Sequence, residues 1–161
     1  MAANQDPGFI DEAATLLMAA RSATLGTIMN DAPYVALVTP ALDERANMLL
    51  LLSDLSVHTA HLRARPACAL LVSGVPSTEN PQTAPRLSLT ASAAPSQSPT
   101  ARARFLQTHP YAAQYIDFGD FNLWLLNLQS AHYVGGFAAA ATLDVAALQH
   151  KIIMRQSPTG S

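Results

Sequence analysis

Hydrophobic positions change period repeatedly along this chain, and the changes mark out its elements. After the breaker Asp6-Pro7-Gly8, Ile10, Ala13, Leu17 and Ala20 recur at helical spacing. The spacing predicts a helix over 9–20, with Asp11 and Glu12 in its first turn, where negative charge suits the helix dipole. From 22 to 29 the period shortens to two, and 34–39 is rich in Val and Tyr. Two strands joined through Asn30-Asp31-Ala32-Pro33 predict an antiparallel hairpin. The unbroken leucines of 48–52 predict a strand buried on both faces. A short helix over 56–65, with Val57, Ala60 and Ala64 on one side, is stopped by Pro66.

Strand 67–72 comes next, then a loop over 73–85 with several prolines and small polar residues. The run 86–93 alternates cleanly, with Leu87, Leu89, Ala91 and Ala93 against Arg86, Ser88, Thr90 and Ser92, which is the pattern of a half-buried strand. A helix over 100–108 and a short one opened by Pro110 and ending near Gly119 precede two strands, 122–128 and 131–137, around a Gln129-Ser130 turn. A last helix covers 145–154. The sum is a mainly β chain of about seven short strands with a few short helices. Such a set closes as a small antiparallel barrel, which removes exposed edges. One domain, 9–155, is expected, with loose ends at 1–8 and 156–161.

Composition changes this picture in one respect. Charged residues make up 12% of the 161 and hydrophobic residues 50%. So little charge suggests that part of the exterior is covered, most simply by a second copy of the chain. Nine basic and eleven acidic residues form no basic block, which argues against a nucleic-acid partner. The single cysteine, Cys68, lies in an apolar run and reads as a small buried hydrophobe. No apolar run reaches the length of a membrane helix and no leader pattern opens the chain, so a reduced, cytoplasmic protein is expected.

Candidate chemistry concentrates at the strand-to-helix junction 53–59. A helix start offers unpaired N–H groups to an anion, and Ser53, Ser56 and Thr59 add hydroxyls while His58 adds a titratable ring. A plain N-cap explains Ser53 or Ser56 equally well. His58 and His61 share a helix face, but no further ligand falls in register, so no metal site is expected. His132 and His150 stand alone, each a surface or core histidine or a haem ligand. Arg86, on the polar face of its strand, can bind a carboxylate or phosphate. Gly135-Gly136-Phe137 ends a strand with either a bend or a close approach to a ligand. No catalytic triad order, phosphate-binding glycine loop or dinucleotide fingerprint is present.

The order RSATLGTIMNDAPYVALVTP, LLLLSDLSVHTAHLRARPACALLV, PRLSLTASA and FGDFNLWLLNLQSAHYVGGF resembles the pyridoxamine 5′-phosphate oxidase-like family of FMN-binding split barrels, and within it the haem-utilisation, haem-degrading branch. The resemblance covers about 13–137. It implies a six- to seven-stranded split β-barrel, a homodimer, and a cofactor at the subunit interface. It implies FMN as cofactor, with Ser53, Ser56, His58 and Thr59 around its phosphate, Val38 and Thr39 along its ring and Arg86 reaching from across the site. The activity so implied is an oxidoreductase of unknown small-molecule substrate; the alternative is a haem or tetrapyrrole binder without redox catalysis of its own. The true oxidases carry a basic residue on the second strand and an Arg-Lys pair at the junction. Here Ala36 and Val57-His58 stand in those places, and the oxidases' C-terminal substrate motif is missing, so pyridoxamine phosphate oxidation is not expected.

Overall fold

The structure, a computed structural model, describes residues 7–157. The expected loose ends lie mostly outside that range; within it, α1 (Pro7–Ala19) starts at Pro7 and α4 (Val145–Gln156) runs to Gln156. Starting two residues early moves Asp11 and Glu12 beyond the first turn. The strands are β1 (Ala23–Met29), β2 (Ala32–Val38), β3 (Ala41–Leu42), β4 (Met48–Ser53), β5 (Ala67–Ser73), β6 (Arg86–Pro95), β7 (Phe121–Gly136) and β8 (Ala139–Leu143). They form one antiparallel sheet in the order β2-β1-β5-β6-β7-β4-β3, with β8 on β7. The ends of this path do not pair, so the barrel is split rather than closed. Helices α2 (Val57–Ala64) and α3 (Pro99–Thr108) and two short 3-10 helices, Pro81–Thr83 and Pro110–Gln114, complete the set; the second is the helix expected from Pro110, ending at Gln114 rather than near Gly119.

Local chemistry explains most of the elements. The β1–β2 hairpin turns on Asn30 and Asp31, both at positive φ, 50° and 62°. This is the conformation that right-twisted strands require of a two-residue loop, and Asn and Asp tolerate it. β2 starts at Ala32 rather than Tyr34 and includes Pro33, whose missing N–H does no harm on an edge strand. The leucines of β4 are buried on both faces, as expected. Leu50 and Leu52 join the barrel interior, while Leu49 joins a second cluster with Ala101 and Phe105 of α3, Ile116 and Leu123. The main core is built by Leu25, Leu70, Leu87, Leu89, Trp124 and Tyr133 and covered by Ala13, Ala14 and Leu17 of α1 and Leu148 and Ile152 of α4. Each such leucine contributes on the order of 2 kcal/mol. Cys68 lies within this core, where burial pushes its thiol up to about 11, so it is inert.

Three features differ from the pattern reading. The two expected final strands are one sixteen-residue strand, β7. Gln129-Ser130 is a bulge, not a turn: Thr90 pairs Ser130 and Ala91 pairs Leu128, leaving Gln129 as the extra residue. A bulge bends a strand sharply while keeping it in the sheet. Here it lies between the stretch of β7 paired with β4 and the stretch paired with β8. β8 itself has three alanines in five residues and therefore carries little strand signal. The inward side of α2 is Thr59 and Leu62, not Val57, Ala60 and Ala64; Val57 is exposed. Leu62 is the only large apolar residue in the helix besides Val57, and a bond from α2 to β1 fixes the rotation, His61 Nδ1 lying 2.9 Å from Thr27 Oγ1.

Candidate functional site

At the junction, Ser53 and Asp54 are held by neighbouring polar groups, whereas Ser56 and Thr59 are not. Ser53 Oγ donates to Asp120 Oδ2 at 2.7 Å and accepts the Leu55 N–H at 3.2 Å. Asp54 Oδ1 accepts from Arg63 at 2.5 Å and from Asn122 Nδ2 at 3.0 Å. Ser56 stands at the N-cap of α2, but its hydroxyl caps nothing. Thr59 is fully buried, and its Oγ1 has no partner. His58 is half-buried. Desolvation, and secondarily the neighbouring His61, hold its pKa below the usual histidine range, so the ring is neutral near pH 7. The junction therefore presents two carboxylates, one neutral imidazole and one ion-paired arginine. Asp120 and Asn122, both far away in sequence, were not visible as members of this cluster.

The other expected site residues lie elsewhere. Val38, buried, ends β2 opposite Ala23, and Thr39 follows it half-buried. Arg86 begins β6, opposite Ser73 on one side and Val134 on the other. Ser53 pairs Phe121, so the junction and Arg86 sit at opposite ends of β7. Within one chain the seven residues thus form two groups: Ser53, Ser56, His58 and Thr59 at one end, and Val38, Thr39 and Arg86 towards the other.

A different surface stands out. Arg86 is the only Asp, Glu, Lys or Arg in the eight strands. On the outer face of β2, β1 and β5, Val35 is 68% exposed and Leu37 79%, with Ile28 and Leu71 also exposed. A cavity of about 380 Å³ lies on this face, against Ile28, Pro33, Val35 and Ala69. The register extends the face across the sheet: Leu37 pairs Thr24, Thr24 pairs Leu71, Leu71 pairs Ser88, and Ser88 pairs His132. His132 is therefore on the same rung as Leu37 and Leu71, two strands beyond Leu71, or roughly 10 Å at the usual strand spacing. Its Nδ1 lies 3.2 Å from Thr142 Oγ1 of β8. Arg86 sits one alternation further along β6 than Ser88 and so faces the same way. Its Nη1 is held by the carbonyls of Gln82 and Ala84 at 2.9 and 3.2 Å. Pairing between distant segments brings these residues together, which no local pattern reveals.

His109 went unnoticed in the sequence pattern. It is buried, Nε2 lying 2.8 Å from the Pro40 carbonyl and Nδ1 3.0 Å from Tyr111 Oη. Both ring nitrogens are used, so it staples the β2–β3 crossing to the segment after α3. The described residues contain no cluster of three or more potential metal-binding His, Cys, Asp or Glu, and no helix long and apolar enough to cross a membrane.

An open antiparallel barrel, with α1 and α4 packed over the interior and one outer face left apolar, defines the chain as a split-barrel protein. It belongs to the CREG β-barrel family, whose model matches residues 11–149. It is 32% identical over 111 residues to the chloroplastic non-canonical heme oxygenase HOZ of Arabidopsis thaliana, matching 67% of this chain and 33% of that protein. The chain thus spans about a third of the length of that curated relative. Among solved structures, a heme binding protein from Mycobacterium smegmatis superposes with a TM-score of 0.81 at 26% identity, over 88% of this chain and 60% of that one. A putative pyridoxamine 5′-phosphate oxidase from Listeria innocua shares the fold, with a TM-score of 0.64 at 13% identity over 79% of this chain and 98% of that one.

Proposed function

We propose that the protein binds haem, or another flat tetrapyrrole, on the outer face of its sheet, between two copies of the chain. The observation that carries this reading is the exposed apolar face with one cation and one imidazole at its margin. A haem is an apolar disc with two carboxylates and an iron. Val35, Leu37 and Leu71 would cover the disc and exclude water, Arg86 would take a carboxylate, and His132 would offer Nε2 to the iron. The contact of its Nδ1 with Thr142 fits that role, since a ligating histidine is usually held through its other nitrogen. When bound, the haem supplies the redox and ligand chemistry. An apolar patch of this kind on a lone protomer favours association, and a homodimer buries it. The names of the oxygenase and of the mycobacterial protein support the same cofactor.

A second reading, an FMN-dependent oxidoreductase of unknown substrate, is favoured by the shared split-barrel fold. It would use Val38, Thr39, Ser53, Ser56, His58, Thr59 and Arg86. Against it stands the junction's charge: a phosphate of about two negative charges would meet Asp54 and Asp120, a neutral His58 and a single arginine, Arg63, already paired with Asp54. Titration of the purified protein with hemin and, separately, with FMN decides between the two. The haem reading expects a Soret band that saturates and little FMN uptake. Stoichiometric FMN binding without a Soret band would overturn it.

A further inference from the structure

A cavity of about 580 Å³ opens between α1 and the loop that joins β5 to β6, on the side of the sheet away from the apolar outer face. Its volume suits a small organic molecule. Leu16 and Ala19 of α1 wall one side, and Val75 and Pro85 the other. Glycine keeps the space open. A Cβ on Gly74 would come within 2.8 Å of Pro85 Cγ, and one on Gly135 within 3.1 Å of the Tyr133 ring and 3.4 Å of Glu12 Oε2.

The hydroxyls of this cleft share one property: their hydrogens are already spent. Tyr133 is buried and its hydroxyl donates to Glu12 Oε2 at 2.5 Å. Thr15 Oγ1 donates to the Asp11 carbonyl, and the Gly74 N–H to the Pro85 carbonyl. What remains towards the cleft is acceptors: the Glu12 carboxylate and the phenol oxygen. Asp11 is answered by Lys151 at 3.0 Å and Arg155 at 2.7 Å, whereas among the described residues no cation pairs with Glu12. Burial and the bond to Glu12 both push the Tyr133 hydroxyl well above its usual range, so it stays a donor to Glu12.

We infer that this cleft binds a small apolar amine, its ammonium on Glu12 and its hydrocarbon between α1 and the β5–β6 loop. An ammonium has three donors and no acceptor, which complements an acceptor-only corner. A carboxylate or phosphate at Glu12 meets a like charge, and the cations at the cleft's rim, Lys151 and Arg155, are already held by Asp11 and Thr15; a neutral alcohol satisfies only one acceptor. The site is independent of the haem reading.

Three probes with one body and different heads test it by isothermal titration: 2-phenylethylammonium, 2-phenylethanol and phenylacetate. The ammonium should bind about tenfold tighter than the alcohol, and phenylacetate should bind weakest. Glu12→Gln keeps an oxygen for Tyr133 but removes the charge, and should bring the ammonium down to the level of the alcohol. Gly135→Ala should weaken all three. Equal binding of the three probes, an ammonium affinity unchanged in Glu12→Gln, or no binding by any probe to a protein with native circular dichroism would overturn the inference.

Discussion

The junction at 53–59 and the outer face around His132 show opposite ways of placing polar residues. The junction is dense in hydroxyls, imidazoles and carboxylates, and most of them are consumed by one another: Ser53 by Asp120, Asp54 by Arg63 and Asn122, His61 by Thr27. The outer face has few polar groups, Arg86 and His132 with short hydroxyl residues between them, beside large apolar side chains that water covers at a cost. Polar density therefore marks a place where the fold holds itself together, and unanswered exposure marks the place where something else is expected to bind. A bonded network contributes stability through its partners. An exposed apolar face contributes only when it is covered.

The comparison breaks first at the proposed dimer interface. Leu37→Glu with Leu71→Glu places two charges on the apolar face; the wild type should scatter light as a dimer and the variant as a monomer, and equal masses would show that this face is not the contact. A smaller effect is expected of Arg86→Gln, which should lower hemin affinity about tenfold by removing the only cation of the sheet. Ser53→Ala removes a donor to Asp120 and an acceptor for the Leu55 N–H, and should cost about 1 kcal/mol in denaturant unfolding while leaving hemin affinity alone. A loss of cofactor binding in this variant would move the site back to the junction.

The smallest effect is a pH dependence. His58 has a folded-state pKa below its ordinary value, so as pH falls through the usual histidine range the unfolded chain takes up the proton first. Stability should therefore decline as pH drops below about 6.5 and level off below the folded pKa. His58→Gln should remove that segment of the stability curve; an identical curve would mean that His58 is not held neutral.

Much of the fold was legible because it rests on local chemistry. Alternation marked β6, unbroken leucines marked the doubly buried β4, and Asn30-Asp31 marked the hairpin. The misreadings share a cause. Gln129-Ser130 has turn composition, but its neighbours on β6 and β8 keep β7 extended through a bulge. β8 is three-fifths alanine and is defined by its pairing rather than its side chains. On α2, Val57 looked inward by spacing, yet the His61–Thr27 bond turns Thr59 and Leu62 to the core. Arg86 was legible as a binding candidate because a lone arginine on an alternating strand is conspicuous. His132 stood in the sequence only as one of two lone histidines that could ligate haem; its place on the apolar face was not legible, because its neighbours Leu37, Thr24, Leu71 and Ser88 come from four strands.

The central claim is that a haem meets this chain at His132, on the outer face. The most direct test is the absorption spectrum of hemin-loaded wild-type protein against His132→Ala. The account predicts a sharp Soret band in the wild type that shifts and broadens in the variant, with hemin affinity down by about tenfold or more. An identical spectrum and affinity in the two proteins would contradict it.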